Sequence, residues 1–169
     1  MTQLTHDVPA LLQQMASELR TQLPDDVLKQ ACMVGIHSGG VWVATELHRL
    51  LALEAPLGTL DISFYRDDFS RIGMHPQVRP SELPFELEER TIILVDDVLH
   101  SGRTVRAAMN ELFDYGRPAR ILLAVLVERG GRELPIQADV CGLSLQLTPA
   151  QQVKLSGPEQ MSLQIQEVA

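Results

Sequence analysis

Two adjacent carboxylates, Asp96 and Asp97, are followed at once by Val98-Leu99-His100-Ser101-Gly102-Arg103-Thr104. Ser101 to Thr104 can offer main-chain N–H groups, two hydroxyls and a guanidinium to one phosphate. The acidic pair would repel that phosphate and must serve something else. Vicinal hydroxyls, with or without a nearby Mg²⁺, suit two carboxylates. A hydroxyl pair a few ångströms from its own 5′-phosphate describes a ribose 5-phosphate.

The surrounding pattern says how these groups are held. Ile92-Ile93-Leu94-Val95 is a continuous branched apolar run, the mark of a strand buried on both faces in a parallel sheet, and it puts the acids at the strand's carboxyl end. Val105, Ala108, Met109, Leu112 and Phe113 then fall on one face of a helix. In open α/β sheets ligands bind at such strand ends, and a helix start is suited to phosphate.

The same unit occurs earlier. Ala31–Ile36 reads as a buried strand, His37-Ser38-Gly39-Gly40 as its turn, and Val43, Ala44, Leu47, Leu50 and Leu51 as the face of the next helix. Ser38, Gly39 and Gly40 are thus a second candidate anion turn. A third strand, Ile121–Val127, runs into Glu128-Arg129-Gly130-Gly131-Arg132 on the same rim.

Elsewhere, Val8, Leu11, Leu12, Met15 and Leu19 predict a helix to about Leu23, with Pro24-Asp25-Asp26 starting another. Gly58–Tyr65 alternates as a half-buried strand, and 66–80 lacks periodicity and carries arginines, as expected of a lid. Ala138–Ser144 reads as a further strand. Gln151–Leu155 with Met161–Ile165 predicts a closing hairpin around Ser156-Gly157-Pro158.

The composition narrows the classes. With 169 residues, 45% of them hydrophobic and 21% charged, the chain is expected to form one domain with a full core, residues 1–169. No apolar run approaches the roughly 20 residues that span a bilayer, so a cytoplasmic protein without membrane contact is expected. Cys32 and Cys141 lie in apolar runs and form no C-x-x-C pair, which points to buried free thiols, and no metal is expected on the protein alone. No G-x-x-x-x-G-K-[ST] occurs, which excludes a Walker nucleotide loop.

The Asp96–Thr104 segment resembles the 5-phosphoribosyl-1-pyrophosphate (PRPP) motif of type I phosphoribosyltransferases. Together with Ser63–Phe69, Gly116-Arg117-Pro118 and Ala124–Ile136, it closely resembles the PyrR family, whose members couple uracil phosphoribosyltransferase activity to regulation of the pyrimidine operon. The likeness covers roughly residues 33–142. It implies an α/β, type I phosphoribosyltransferase fold, with a central parallel sheet flanked by helices and a small hood, in a homo-oligomer of two or more copies.

The resemblance also implies roles. Uracil and PRPP give UMP and pyrophosphate, with Mg²⁺ arriving on PRPP. Asp96 and Asp97 take the ribose hydroxyls; Val98, Leu99, His100, Ser101, Gly102, Arg103 and Thr104 form the 5′-phosphate loop and its walls. Ser38, Gly39 and Gly40 hold pyrophosphate, with Arg66 and Arg132 as nearby cations; Arg66 joins the acidic pair as a candidate catalytic residue. Uracil lies against the turn holding Val127, Glu128 and Arg129. His100 stands where some purine-directed relatives carry an acid, and is expected to pack beside the phosphate loop.

Two departures bear on function. Several relatives have a basic residue before the last glycine of the pyrophosphate loop, where this chain has Gly39. A net charge of −8, with Lys29 and Lys154 the only lysines, opposes nucleic acid, and residues 1–30 offer only Arg20 and Lys29 as cations. The expectation is therefore an enzyme first. The alternative is a UMP- or UTP-sensing attenuation regulator that binds pyr mRNA and has little catalytic activity. A purine-specific transferase is the third option.

Overall fold

A computed structural model describes residues 2–3, 6–62 and 81–168. The expected lid at 66–80 and Arg66 lie outside them.

The elements in chain order are β1 (Thr2–Gln3), α1 (Val8–Gln22), α2 (Asp25–Gln30), β2 (Cys32–Ile36), α3 (Gly39–Leu51), β3 (Gly58–Leu60), β4 (Thr91–Leu99), α4 (Arg103–Tyr115), β5 (Arg120–Arg129), β6 (Val140–Leu145), β7 (Gln151–Ser156) and β8 (Ser162–Glu167). Five strands form a parallel sheet in the order β3-β2-β4-β5-β6. The apolar runs occupy its centre, as a sheet covered on both faces requires.

Alternate side chains feed two cores. Met33, Ile93, Val95, Leu122, Ala124 and Leu126 meet α1 and α3 on one face. Cys32, Val34, Ile92, Leu94, Leu123 and Val125 meet Val105, Ala108 and Leu112 of α4 on the other.

Two strands extend further than local hydrophobicity indicates. β4 continues through the acidic pair to Leu99 because β5 continues beside it, pairing Val98 with Val127 and Leu99 with Glu128. Glu128 and Arg129, expected in the turn that Val127 leads into, are therefore strand residues. The acids lie inside the last turns of the ladder and not beyond it.

The expected hairpin forms as β7 and β8, and Thr2–Gln3 adds to its outer side, giving an antiparallel sheet in the order β1-β8-β7. This hood is tied to the main sheet by Arg129, a buried side chain whose guanidinium donates to the carbonyls of Gln151 at 2.7 Å and Thr148 at 3.4 Å. Cys32 is fully buried, whereas Cys141 is only half-buried, because β6 is an edge strand; neither forms a disulfide.

No described helix is long and apolar enough to cross a membrane.

Candidate active site

A cavity of about 580 Å³ opens over the carboxyl end of β4. His37, Ser38 and Gly39, the pair Asp96 and Asp97, and Val98, Ser101, Arg103 and Thr104 line it together. Two loops some 60 residues apart meet because β2 and β4 are adjacent and in register, with Gly35 beside Val95.

Glycine permits the closest approach. A Cβ on Gly40 would stand 2.7 Å from the carbonyl oxygen of Val95 and 3.0 Å from Asp96 Cα, and one on Gly39 would stand 2.6 Å from Asp97 Cγ. The approach to the Val95 carbonyl is below any ordinary carbon contact, so α3 can start there only on a glycine at 40, whereas a side chain at 39 would have to displace the Asp97 carboxylate.

Both helices facing the cavity start without a side-chain cap. In α3 the carbonyl of Ser38 takes the N–H groups of Val41 and Trp42, and Gly39 and Gly40 are the first residues of the helix. Gly102 caps α4 at φ +95, a conformation that favours glycine, and Ser101 Oγ accepts the Arg103 N–H at 3.2 Å. The Ser101 carbonyl in turn accepts from the N–H groups of Glu133 and Leu134, which fixes the loop. Uncapped helix starts present N–H groups and a positive dipole end to an anion.

The acids are ordered from below. Asp96 is buried at 6% exposure, and its Oδ1 accepts the Asp97 N–H at 2.9 Å; Asp97 Oδ1 accepts the Val98 N–H at 2.9 Å. Asp97 Oδ2 lies toward Gly39. Arg103 meets Glu133 at 3.3 Å, with both side chains about half exposed. Such a pair contributes about 1 kcal/mol or less, so a phosphate can draw the guanidinium away at little cost.

Other expected residues lie elsewhere. His100, Glu128, Arg129 and Arg132 line a second cavity of about 330 Å³ with Leu99, Gly130 and Ile136. Val98 and Leu99 are neighbours on one strand and face opposite sides of the sheet, Val98 toward the α1 and α3 core and Leu99 toward that of α4. Partners in a parallel ladder share a face, so Val127 lies beside Val98 and Glu128 beside Leu99. Arg132 is thus not brought to Ser38 and Gly39.

The first cavity has walls that the sequence did not reveal. Trp42, from the first turn of α3, and Val153, Lys154 and Leu155, from the hood, complete it. The only sequence signal was indirect: a lone tryptophan one turn after the glycines, and one of two lysines in a short strand.

The comparisons with known proteins agree with this geometry. Residues 3–157 match the model of the phosphoribosyl transferase domain. A bifunctional protein PyrR from Nitrosococcus oceani is 56% identical over 164 residues, covering 96% of this chain and 93% of its own. One from Pseudomonas syringae pv. syringae is 53% identical, covering 96% of each. The chain belongs to the PyrR family of phosphoribosyltransferases. Solved structures extend the likeness of fold: a hypoxanthine-guanine phosphoribosyltransferase from Bacillus anthracis aligns with a TM-score of 0.65 at 18% identity, over 89% of this chain and 86% of that one. A purine phosphoribosyltransferase from Pyrococcus horikoshii aligns at 0.60 and 24%, over 81% and 82%. PyrR-family membership makes the chain a phosphoribosyltransferase tied to pyrimidine regulation.

Proposed function

We propose that this cavity transfers the phosphoribosyl group of PRPP to uracil, releasing UMP and pyrophosphate. The observation that carries the reading is the convergence of an acidic pair, Asp96 buried and Asp97 half-buried, with two uncapped helix starts in one cavity. Asp96 and Asp97 accept the ribose hydroxyls. The N–H groups after Gly102, with Ser101, Arg103 and Thr104, hold the 5′-phosphate, and Ser38, Gly39 and Gly40 hold the pyrophosphate.

The chemistry follows from that placement. The bond between the anomeric carbon and the pyrophosphate oxygen breaks as the bond to uracil N1 forms, and the N1 proton passes to solvent. Charge on the sugar is positive at the transition state, so two fixed carboxylates beneath it stabilise that state more than the ground state. Anchoring PRPP at both phosphates holds the reacting carbon in place.

Mg²⁺ fits as part of the substrate. The Asp96 and Asp97 oxygens suit a hard cation that takes its remaining ligands from PRPP and water. When bound, it offsets the charge of the leaving pyrophosphate.

Uracil lies on the Val98 side of β4, with Val127 beneath and the hood above. Glu128 projects to the other face, which leaves its main chain, and Arg129 acts by holding the hood. Arg66 and the expected lid stay in the proposal as contributions from outside the described residues, and a cytoplasmic homo-oligomer completes it.

The relatives' word "bifunctional" favours a second reading beside the first, control of gene expression through pyr mRNA and a UMP or UTP signal. The net charge of −8 requires any RNA face to be a local patch.

The test is UMP formation from radiolabelled uracil, PRPP and Mg²⁺, with hypoxanthine in parallel and an Asp96→Asn/Asp97→Asn double variant as control. UMP formed by the native protein and abolished in the variant is expected. If no UMP forms while UMP still raises the melting temperature, the ligand-sensing regulator replaces the enzyme.

A further inference from the structure

We propose that Lys154, on the hood strand β7, supplies the positive charge that the pyrophosphate loop of this chain lacks. The inference rests on the transferase reading and assigns a further residue to the same site.

The need comes from the loop. His37, Ser38, Gly39 and Gly40 bring no permanent cation to the loop, and a side chain at Gly39 would have to displace Asp97, since a Cβ would fall 2.6 Å from Asp97 Cγ. The carboxylate of Asp97 and the missing cation are therefore two sides of one arrangement. Asp96 and Asp97 put two carboxylates beside the loop before a polyanion enters it. Backbone N–H groups carry only partial charge against them.

Among the described residues lining the cavity, the permanent cations are Arg103 and Lys154. Arg103 starts α4 beside Gly102 and belongs with the 5′-phosphate. Lys154 lines it from the hood, together with Val153 and Leu155. No described carboxylate forms an ion pair with it.

The strand is well placed to hold such a group. Val153 and Leu155 are buried and anchor β7, while Lys154 between them is exposed. Arg129 fixes the beginning of the strand through the Gln151 carbonyl. Gly157, just beyond its end, lies over the Trp42 ring, where an added Cβ would stand 3.0 Å from Cε3. The hood therefore rests on the first turn of the helix that starts at the pyrophosphate loop. A lysine stem needs no fixed fork to meet a phosphate and works there as a point charge.

The test uses the full chain and its sole tryptophan, Trp42, whose fluorescence reports ligands entering the cavity. Dissociation constants for magnesium pyrophosphate and for UMP are measured for the native protein, Lys154→Gln and Lys154→Arg, beside the KM values for PRPP and uracil. Loss of one charge-assisted contact predicts a pyrophosphate Kd and a PRPP KM raised about tenfold or more in Lys154→Gln, with most of the effect restored by arginine. The UMP Kd stays within about twofold, by the same reasoning that UMP lacks the pyrophosphate. An unchanged pyrophosphate Kd overturns the proposal, as does a rise confined to the uracil KM, which would put the ammonium on the base. If the native protein makes no UMP, the transferase reading fails on its own, while the pyrophosphate titration still decides the role of Lys154.

Discussion

The carboxylate of Asp97 fills the space into which a side chain at Gly39 would project. Two loops expected to serve opposite ends of one substrate are thus in direct steric contact. Each constrains what the other can be.

Gly39→Ala tests that contact. The added methyl must move Asp97 or the start of α3, and overpacking of this kind costs about 1–3 kcal/mol. For a chain of this size that corresponds to a melting temperature lower by about 2–10 °C. Displacing Asp97 should also reduce UMP formation by about tenfold or more, the loss expected of one misplaced charge-stabilising group. Thermal denaturation and kcat/KM for PRPP read the two effects separately. A variant with native stability and native activity would show that Asp97 moves freely.

Arg129 gives a second prediction, because its guanidinium joins β5 to the hood while its Nε finds no partner among the described residues. Arg129→Met removes the bonds to Gln151 and Thr148 at a cost of about 1–3 kcal/mol. The hood then opens more often than the sheet, so amide exchange quickens in β7 and β8 before β4 and β5. KM should rise for both substrates together. Unchanged exchange in β7, with a higher KM for uracil alone, would mean that Arg129 touches the base directly.

Much of this arrangement was legible in the residue pattern. Ile92–Val95 and Ile121–Val127 are apolar without interruption, which only a doubly covered strand sustains, and the three- and four-residue spacing from Val105 onward marks its helix. The acidic pair at such a junction marked where the cavity lies. Other features depend on neighbours that local pattern does not report. β4 reaches Leu99 because β5 runs alongside it, so Glu128 and Arg129, expected to open a turn, are still strand. The two-residue β1 acquires its structure from β8, at the other end of the chain. Val153 and Leu155 read only as hairpin residues and Trp42 carried no reading, and their place at the cavity follows from how the hood folds over α3.

The thiols predict an alkaline limit to stability. Burial pushes the Cys32 thiol above its ordinary value of 9.0, partly offset by the Arg90 guanidinium 3.6 Å away. Burial likewise raises Cys141, offset in part by hydrogen bonds with the Ser144 side chain and the Leu143 backbone. A raised pKa in the folded state means that folding favours the protonated thiol. The contribution is complete below the unfolded value and is lost as pH rises through the folded one. Urea unfolding should therefore show stability declining above about pH 9, where free thiols ionise. Cys32→Ala should flatten that decline while lowering stability at neutral pH through the cavity it leaves. An equally steep decline in Cys32→Ala would assign the alkaline loss to other groups.

His100 is the residue whose chemistry the structure constrains most sharply. Its Nδ1 lies 3.0 Å from the Gly130 carbonyl, which can only accept, so Nδ1 carries a proton and is committed to that bond. A Cβ on Gly131, which sits at φ +98, would stand 2.8 Å from His100 Cε1, so the ring is packed onto the Gly130-Gly131 turn. The imidazole lines the cavity of Leu99 and Glu128 and not that of Asp96 and Asp97. From there it has no described path to the N1 proton of a base lying on the Val98 side. A general base contributes about a hundredfold or more. His100→Gln, which keeps a donor for Gly130, should instead hold kcat within about threefold, far short of that general-base effect. It should also leave the pH profile of UMP formation between pH 6 and 9 in place. Loss of the acidic limb of that profile, together with a hundredfold fall in kcat, would make His100 the base and require uracil to bind on the Leu99 side of β4.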